Sequence, residues 1–214
     1  MGRYQSEQRN KILRSAVDVF AKEGWKGATI RRVGRAAGVN SALIYYYFEN
    51  KHTLFMECIR MVLGGFLDHL GRQRRAFRGA RERLACLVNG VFDYYTAHPH
   101  RMRLMLLAFS AHGDLLGQTL ASFLKNRVVV PLEILKEGMQ AGELREMHPV
   151  HAWWSVMGIC LFSLQVKDIL PYITLKSTPI PPFDLEERRA QIVDLLVHGW
   201  ALPSSPNPTR REDQ

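Results

Sequence analysis

The stretch TIRRVGRAAGVNSALIYYYFENK, residues 29–51, carries two short helical patterns separated by Gly38 and closes on a lysine where a new helix can begin. Thr29 supplies an N-cap for the first pattern, whose inward residues are Ile30, Val33 and Ala37. Gly38 permits the left-handed conformation that a sharp interhelical turn needs. Asn40 caps the second pattern, in which Ile44 and Phe48 stand four apart and face a core. Two short helices joined in this way make a helix-turn-helix, whose second helix can lie in the DNA major groove.

The residues left outside that core suit such a role. Ser41, Ala42 and Leu43 form the small-residue start of the second helix, which lets it approach base edges closely. A serine hydroxyl can hydrogen-bond several bases, and an alanine methyl can pack on a thymine methyl. Tyrosine hydroxyls such as those of Tyr45 and Tyr46 can reach phosphates, which fix register without reading sequence, and Tyr46 is also expected to join Ser41 to Leu43 in reading bases. Tyr47, three past Ile44, divides between core and phosphate contact. Thr29, Asn40 and Lys51 stand at helix starts, where free N–H groups and the dipole attract anions, so Thr29 and Lys51 are expected to clamp phosphate. Of Arg31 and Arg32, one can reach a guanine while the other holds backbone.

Working outward, helical periodicity runs along almost the whole chain and strand-like alternation is nearly absent. A first helix is expected from an N-cap at Ser6, with Ile12, Ala16, Val19 and Phe20 on one face and a stop at Gly24. A long helix from Asn50 or Lys51 through Phe66 should join this head to a body. There Leu84, Leu87, Val88, Val91, Phe92 and Tyr95 form a stripe that ends at His98-Pro99. A shorter helix follows over 101–109, then a long one over 115–143, kinked or broken at Pro131. Pro149 opens a helix that is apolar all round from 152 to 164, too short and too closely flanked by polar residues to span a membrane. Residues 174–182 read as a proline-rich loop. Asp184 begins a capping box with Glu187 ahead of a last helix through Trp200. The fold class is therefore all-α: a three-helix DNA-binding head (1–54), a helical body (55–202) and a disordered tail (203–214).

Charge follows the same division. Residues 1–60 hold 11 Lys/Arg against 5 Asp/Glu and residues 61–83 hold 6 against 2, whereas the remainder holds 12 against 13. A basic head on a near-neutral body suits a polyanion-binding module. The three cysteines, Cys58, Cys86 and Cys160, are far apart and form no CxxC pair, which argues against a disulfide framework or zinc site and fits a reducing cytoplasm. Residues 1–17 lack the uninterrupted apolar core of a signal peptide.

On these residues the head resembles the N-terminal domain of the TetR/AcrR family of bacterial transcriptional regulators. The similarity rests on Gly24, Thr29, Ile30, Ala37-Gly38-Val39-Asn40, Ile44-Tyr45-Tyr46-Tyr47-Phe48 and Lys51, and extends over roughly residues 6–55. Gly34 stands where the family usually has alanine, Asn40 where it has serine, Tyr47 where it has histidine, and Ala42 where Gly or Pro is common. The first two keep small size and capping capacity, while the last two alter the DNA-facing surface. The resemblance implies an inducer-binding body that dimerises through its last two helices. Both of those helices carry more apolar surface than one bundle face requires, and Trp154, Leu161, Ile192, Leu196 and Trp200 are the expected interface. A dimer would set two recognition helices about one DNA turn apart (~34 Å) on a palindromic operator of double-stranded DNA. Phe66, Phe92, Tyr95, Met102, Met105, Phe109, Trp153 and Met157 are candidates to line a pocket for a small-molecule inducer.

Catalysis finds no support in the sequence. The eight histidines are scattered, and no HExxH, Walker loop or GxSxG occurs, so neither a metal nor a cofactor is expected. A repressor released by its ligand is the reading that accounts for both halves of the chain. The competing reading, a helical protein-interaction module whose basic head binds an acidic partner or surface, accounts for the charge but not for the spacing of Thr29, Gly38, Asn40 and Lys51.

Overall fold

The computed structural model describes residues 3–125, 127–167, 169–170 and 183–202. Among these there are ten α-helices and no strand: α1 (Arg3–Gly27), α2 (Ile30–Ala37), α3 (Ser41–Phe48), α4 (Lys51–Gln73), α5 (Ala80–Ala97), α6 (Pro99–Ala111), α7 (Gly113–Leu124), α8 (Val130–Gln140), α9 (Pro149–Val166) and α10 (Leu185–Trp200). The expected proline-rich loop at 174–182 and the tail at 203–214 lie outside the described residues.

Most helix ends follow from the side chains that cap them. Thr29 Oγ1 accepts from the backbone N–H of Arg32 (3.2 Å) and Asn40 Oδ1 from that of Leu43 (2.8 Å). Asn50 Oδ1 does the same for Thr53 (2.9 Å), and Pro149 sits in the first turn of α9. Asp184 Oδ1 accepts from Glu186 and Glu187 at 2.8 and 3.3 Å. Only half of the expected capping box forms, because the Glu187 carboxylate accepts from Gln191 one turn further on.

Two boundaries differ from expectation. Helix α1 begins at Arg3, not at an N-cap Ser6, and the Tyr4 hydroxyl meets Gln8 one turn on (3.1 Å), so its first turn has its own side-chain contact. The expected helix over 115–143 is two helices, α7 and α8, parted between Leu124 and Val130. Pro131 lies in the first turn of α8 rather than at a kink, where its missing N–H costs no intrahelical bond. Gly24 (φ +66°) interrupts α1 at the expected stop.

The chain forms two compact units, one of residues up to 69 with 94–128, the other of 70–93 with those from 129 onward. In the first, α1 packs on α2 and α6, α2 on α3, and α6 on α7. Its core holds Ile12, Leu13, Ala16, Phe20, Val33, Ile44, Phe48, Leu54, Phe55 and Ile59. In the second, α9 packs on α8 and α10. There Arg83 of α5 reaches Glu143 (2.5 Å) and Glu137 (3.5 Å), and Arg189 of α10 reaches Asp93 (2.7 Å). Backbone bonds from Arg145 to Trp200 (2.8 Å) and from Leu202 to Glu143 (3.0 Å) fasten the end of α10.

Candidate nucleic-acid interface

The turn between α2 and α3 is closed by backbone. Gly38 adopts φ +66°, ψ +37°, and Val39 N–H donates to the Gly34 carbonyl (2.9 Å). At Gly34 a Cβ would lie 2.8 Å from the Val39 carbonyl oxygen, so the turn backbone passes α2 here more closely than an alanine allows. Ile44 and Phe48 are fully buried and fix the roll of α3 about its axis. The i, i+3, i+4 set of Ala42, Tyr45 and Tyr46 is thereby turned to solvent, with Tyr45 52% and Tyr46 71% exposed. Ser41, Leu43 and Tyr47 are half-buried at its edges, and the Tyr47 ring packs edge-on against Tyr46 (5.2 Å).

The cations expected to act with this face divide into free and engaged. Arg31 is exposed with no ion pair among the described residues, whereas Arg32 pairs with Glu23 and donates to the Gly27 carbonyl (3.2 Å). Arg32 therefore ties α2 to the end of α1, and Arg31 is the arginine free to reach a ligand. Arg35, exposed one turn beyond Arg31, went unassigned in the sequence although its i, i+4 spacing from Arg31 was the available signal. The Lys51 ammonium donates to the Trp25 carbonyl and lies 4.4 Å from the centre of the Trp25 ring. Burial there lowers its pKa. Two of its three donors remain to meet an anion.

Behind the face, Arg9 of α1 pairs with Glu57 of α4 while its guanidinium lies 5.1 Å from the Phe48 ring centre. Arg60 adds a second bond to Glu57 (2.6 Å) and a third to Ser122 of α7 (3.2 Å). Burial pushes the Glu57 carboxyl up, but the bonds from Arg9 and Arg60 outweigh it and leave the pKa below the ordinary value. On the other side, Trp25 is ringed by Phe20, His52, Phe55 and His112, the last at 4.6 Å. His112, between α6 and α7, buries its Nε2 without a hydrogen-bond partner. Burial, with His52 and Lys51 close by, holds its pKa below the usual imidazole value. Asp18 of α1 meets His100 in the first turn of α6 (2.8 Å).

A helix-turn-helix with an outward aromatic face is the part of the chain, residues 12–58, that matches the family described as bacterial regulatory proteins, tetR family. Residues 81–196 match the tetracyclin repressor-like C-terminal domain. The HTH-type transcriptional repressor NicS of Pseudomonas putida is 30% identical over 158 residues, which is 72% of this chain and 74% of that protein. The chain belongs to the TetR family of bacterial regulatory proteins. As a TetR-family protein it is a DNA-binding transcriptional regulator. The fatty acid metabolism regulator protein of Bacillus subtilis is 27% identical over 137 residues, 64% of this chain and 70% of that protein. In fold, this TetR-family chain is similar to the regulator FadR from Bacillus subtilis in complex with stearoyl-CoA, with a TM-score of 0.72 at 22% identity over 89% of this chain and 98% of that one.

The residues expected to serve the TetR-family body fare unevenly. Of the pocket candidates, Phe66, Tyr95, Met102, Met105 and Phe109 belong to the first unit, and Phe92, Trp153 and Met157 to the second. Phe66 and Tyr95 stack on one another and on Tyr94 as core, Phe92 is covered by Arg189, and Phe109 is exposed. None of the eight lines the clefts that open beside Arg14, Arg72 or Lys22. Of the interface candidates, Ile192 and Leu196 are corrected. Both are buried within their own chain, because α10 turns them inward, and have no surface left to give a partner. Trp154 is 46% exposed, and Leu161 and Trp200 are half-buried. Phe162 (70% exposed) and Leu195 (61%) are exposed large apolar side chains of α9 and α10 that the expected interface did not include. Trp154, Gly158 and Phe162 follow i, i+4, i+8 on the outer face of α9.

Proposed function

We propose that this TetR-family protein is a homodimeric cytoplasmic repressor that grips a palindromic operator through α2 and α3 and releases it when a small molecule binds the body. The observation that carries the DNA-contact assignment is the outward set Ala42, Tyr45 and Tyr46, held in place by buried Ile44 and Phe48. In this reading Ser41, Ala42 and Leu43 approach base edges while Tyr45, Tyr46 and Tyr47 hold phosphates. Thr29 keeps a hydroxyl proton to donate, Asn40 orients the N-terminus of α3, Arg31 and Arg35 reach the DNA, and Lys51 turns its remaining donors to a phosphate. Arg32 acts through the frame, by fixing α2 to α1.

Dimerisation is assigned to the outer faces of α9 and α10, at Trp154, Phe162 and Leu195, with Trp200 and Leu161 at the margin. Three large exposed apolar side chains on two helices need a cover in a soluble protein. Support for a small-molecule effector comes from the structurally similar FadR, which holds stearoyl-CoA. Motion of the body would reach the head through α6, which packs along α1 and pairs with it at Asp18–His100.

The assignment is tested by operator affinity at physiological salt in Tyr46→Ala and Lys51→Ala. Loss of one charge-assisted phosphate contact of ~1.5–3 kcal/mol weakens binding by ~10-fold or more. The circular dichroism of both variants should remain that of the parent. Unchanged affinity in both would remove these residues from the interface.

A further inference from the structure

Residues 72–83 carry six arginines in twelve positions, a basic excess that lies outside the DNA-gripping helices. Three of them have carboxylate partners: Arg74 pairs with Glu137, Arg81 with Asp194 (2.7 Å), and Arg83 with Glu143 and Glu137. Arg72, Arg75 and Arg78 are exposed and have no ion pair among the described residues. Arg72 and Arg75 line a cleft of about 520 Å³ together with Arg74, Cys86 and Asn89. Two carboxylates also line it, and each has a hydrogen-bond partner. Asp93 accepts from Arg189 at 2.7 Å, and Glu82 accepts from the backbone N–H of Arg78 at 3.1 Å.

We propose that this cleft binds the phosphate or diphosphate group of a small molecule through Arg72 and Arg75. Two guanidiniums without carboxylate partners present forked donors that match phosphate oxygens bidentately, and their charge matches a dianion. The Asn89 amide, which also lines the cleft, can accept from, or donate to, the rest of the ligand. The frame is fixed before any ligand arrives. Arg83 is buried, lies 5.2 Å from the Phe77 ring centre and reaches Glu143, so the segment joining α4 to α5 is held at its base. The site concerns binding alone and stands or falls separately from the DNA contacts of α3.

Cys86 supplies the reporter. Cys58 and Cys160 are buried, whereas Cys86 is half-exposed in the cleft; burial raises its thiol pKa, and the nearby Arg75 guanidinium offsets part of that rise. An anion seated on Arg75 both covers the thiol and cancels that guanidinium, so alkylation slows. The test uses the full chain, N-ethylmaleimide and mass mapping of Cys86, with inorganic pyrophosphate as ligand and sodium chloride at matched ionic strength as control. Pyrophosphate should protect saturably, and chloride should not. In Arg72→Gln/Arg75→Gln the half-protecting concentration should rise by ~10-fold or more. Arg78→Gln, exposed and outside the cleft, should behave as the parent. Equal protection by chloride, an equal loss in Arg78→Gln, or protection unchanged in the double variant would overturn the site. So would a double variant that loses operator affinity while keeping pyrophosphate protection, since the arginines would then serve DNA.

Discussion

Replacing His112 by phenylalanine should stabilise the protein and remove part of its acid sensitivity. The imidazole packs against Trp25 (4.6 Å) and Phe55 (5.4 Å), with His52 and Lys51 facing it from α4 and its Nε2 buried without a partner. A buried polar atom left unsatisfied costs about 1–3 kcal/mol, and a phenyl ring in the same cage has no such atom. The slightly larger ring offsets part of the gain through tighter packing. The expected net gain is about 1 kcal/mol, or ~2–4 °C in Tm for a chain of this size. The pH sign follows from the depressed pKa. Above the ordinary value of 6.5 the imidazole is neutral in both states, and stability is full. As pH falls below 6.5 the unfolded chain takes up a proton that the folded one still refuses, so stability falls until the lower folded pKa is reached. Urea denaturation from pH 7.5 to 5 should therefore show a shallower decline in His112→Phe than in the parent. His98, whose pKa burial, Arg101 and His69 also lower, keeps some slope in both. A variant less stable than the parent at pH 7.5, or one with the parent's full acid slope, would refute the assignment of His112 as a strained neutral group.

Asn40→Ala removes the Oδ1 that caps α3 through Leu43 (2.8 Å), and should cost about 1 kcal/mol by denaturation while weakening operator binding. Arg9→Met leaves the partly buried Glu57 with Arg60 alone. The Glu57 pKa should rise toward the ordinary value, so that stability contributed above that value, and lost as pH falls through the folded pKa, shrinks in an acid titration. Phe162→Glu places a charge on the outer face of α9, where the parent side chain is 70% exposed; under the proposed dimerisation, light scattering should report a dimer for the parent and a monomer for the variant at the same concentration. A parent-like mass for Phe162→Glu would move the interface elsewhere.

The features legible in the sequence were those set by near neighbours in the chain. Thr29, Asn40 and Asp184 occupy the expected cap positions because an N-cap side chain accepts from an N–H two or three residues on, and Gly38 occupies the expected turn because its left-handed backbone sends its N–H back to the last carbonyls of α2. The inward stripes of α1 and α5 are buried because an amphipathic helix has one way to turn. What escaped was set by distant partners. Arg32 faces Glu23 and Lys51 reaches back to Trp25, so residue type and position within a helix could not say which cation was free. Likewise the spacing of Ile192, Leu195 and Leu196 identified an apolar helix, but only the packing of α10 shows that Leu195 points out and the other two point in. The break between α7 and α8 escaped for a different reason: a proline in a first turn and a proline at a kink leave the same trace in sequence.

The most direct test is the affinity of the purified protein for a DNA fragment from its own promoter region, measured against random duplex of equal length at ~150 mM salt. Base reading by α3 predicts a preference of ~10³-fold or more, with both affinities falling steeply as salt rises. A ratio near one, with the same salt dependence on both duplexes, would reduce the head to a basic surface and contradict its role as a reader of DNA sequence.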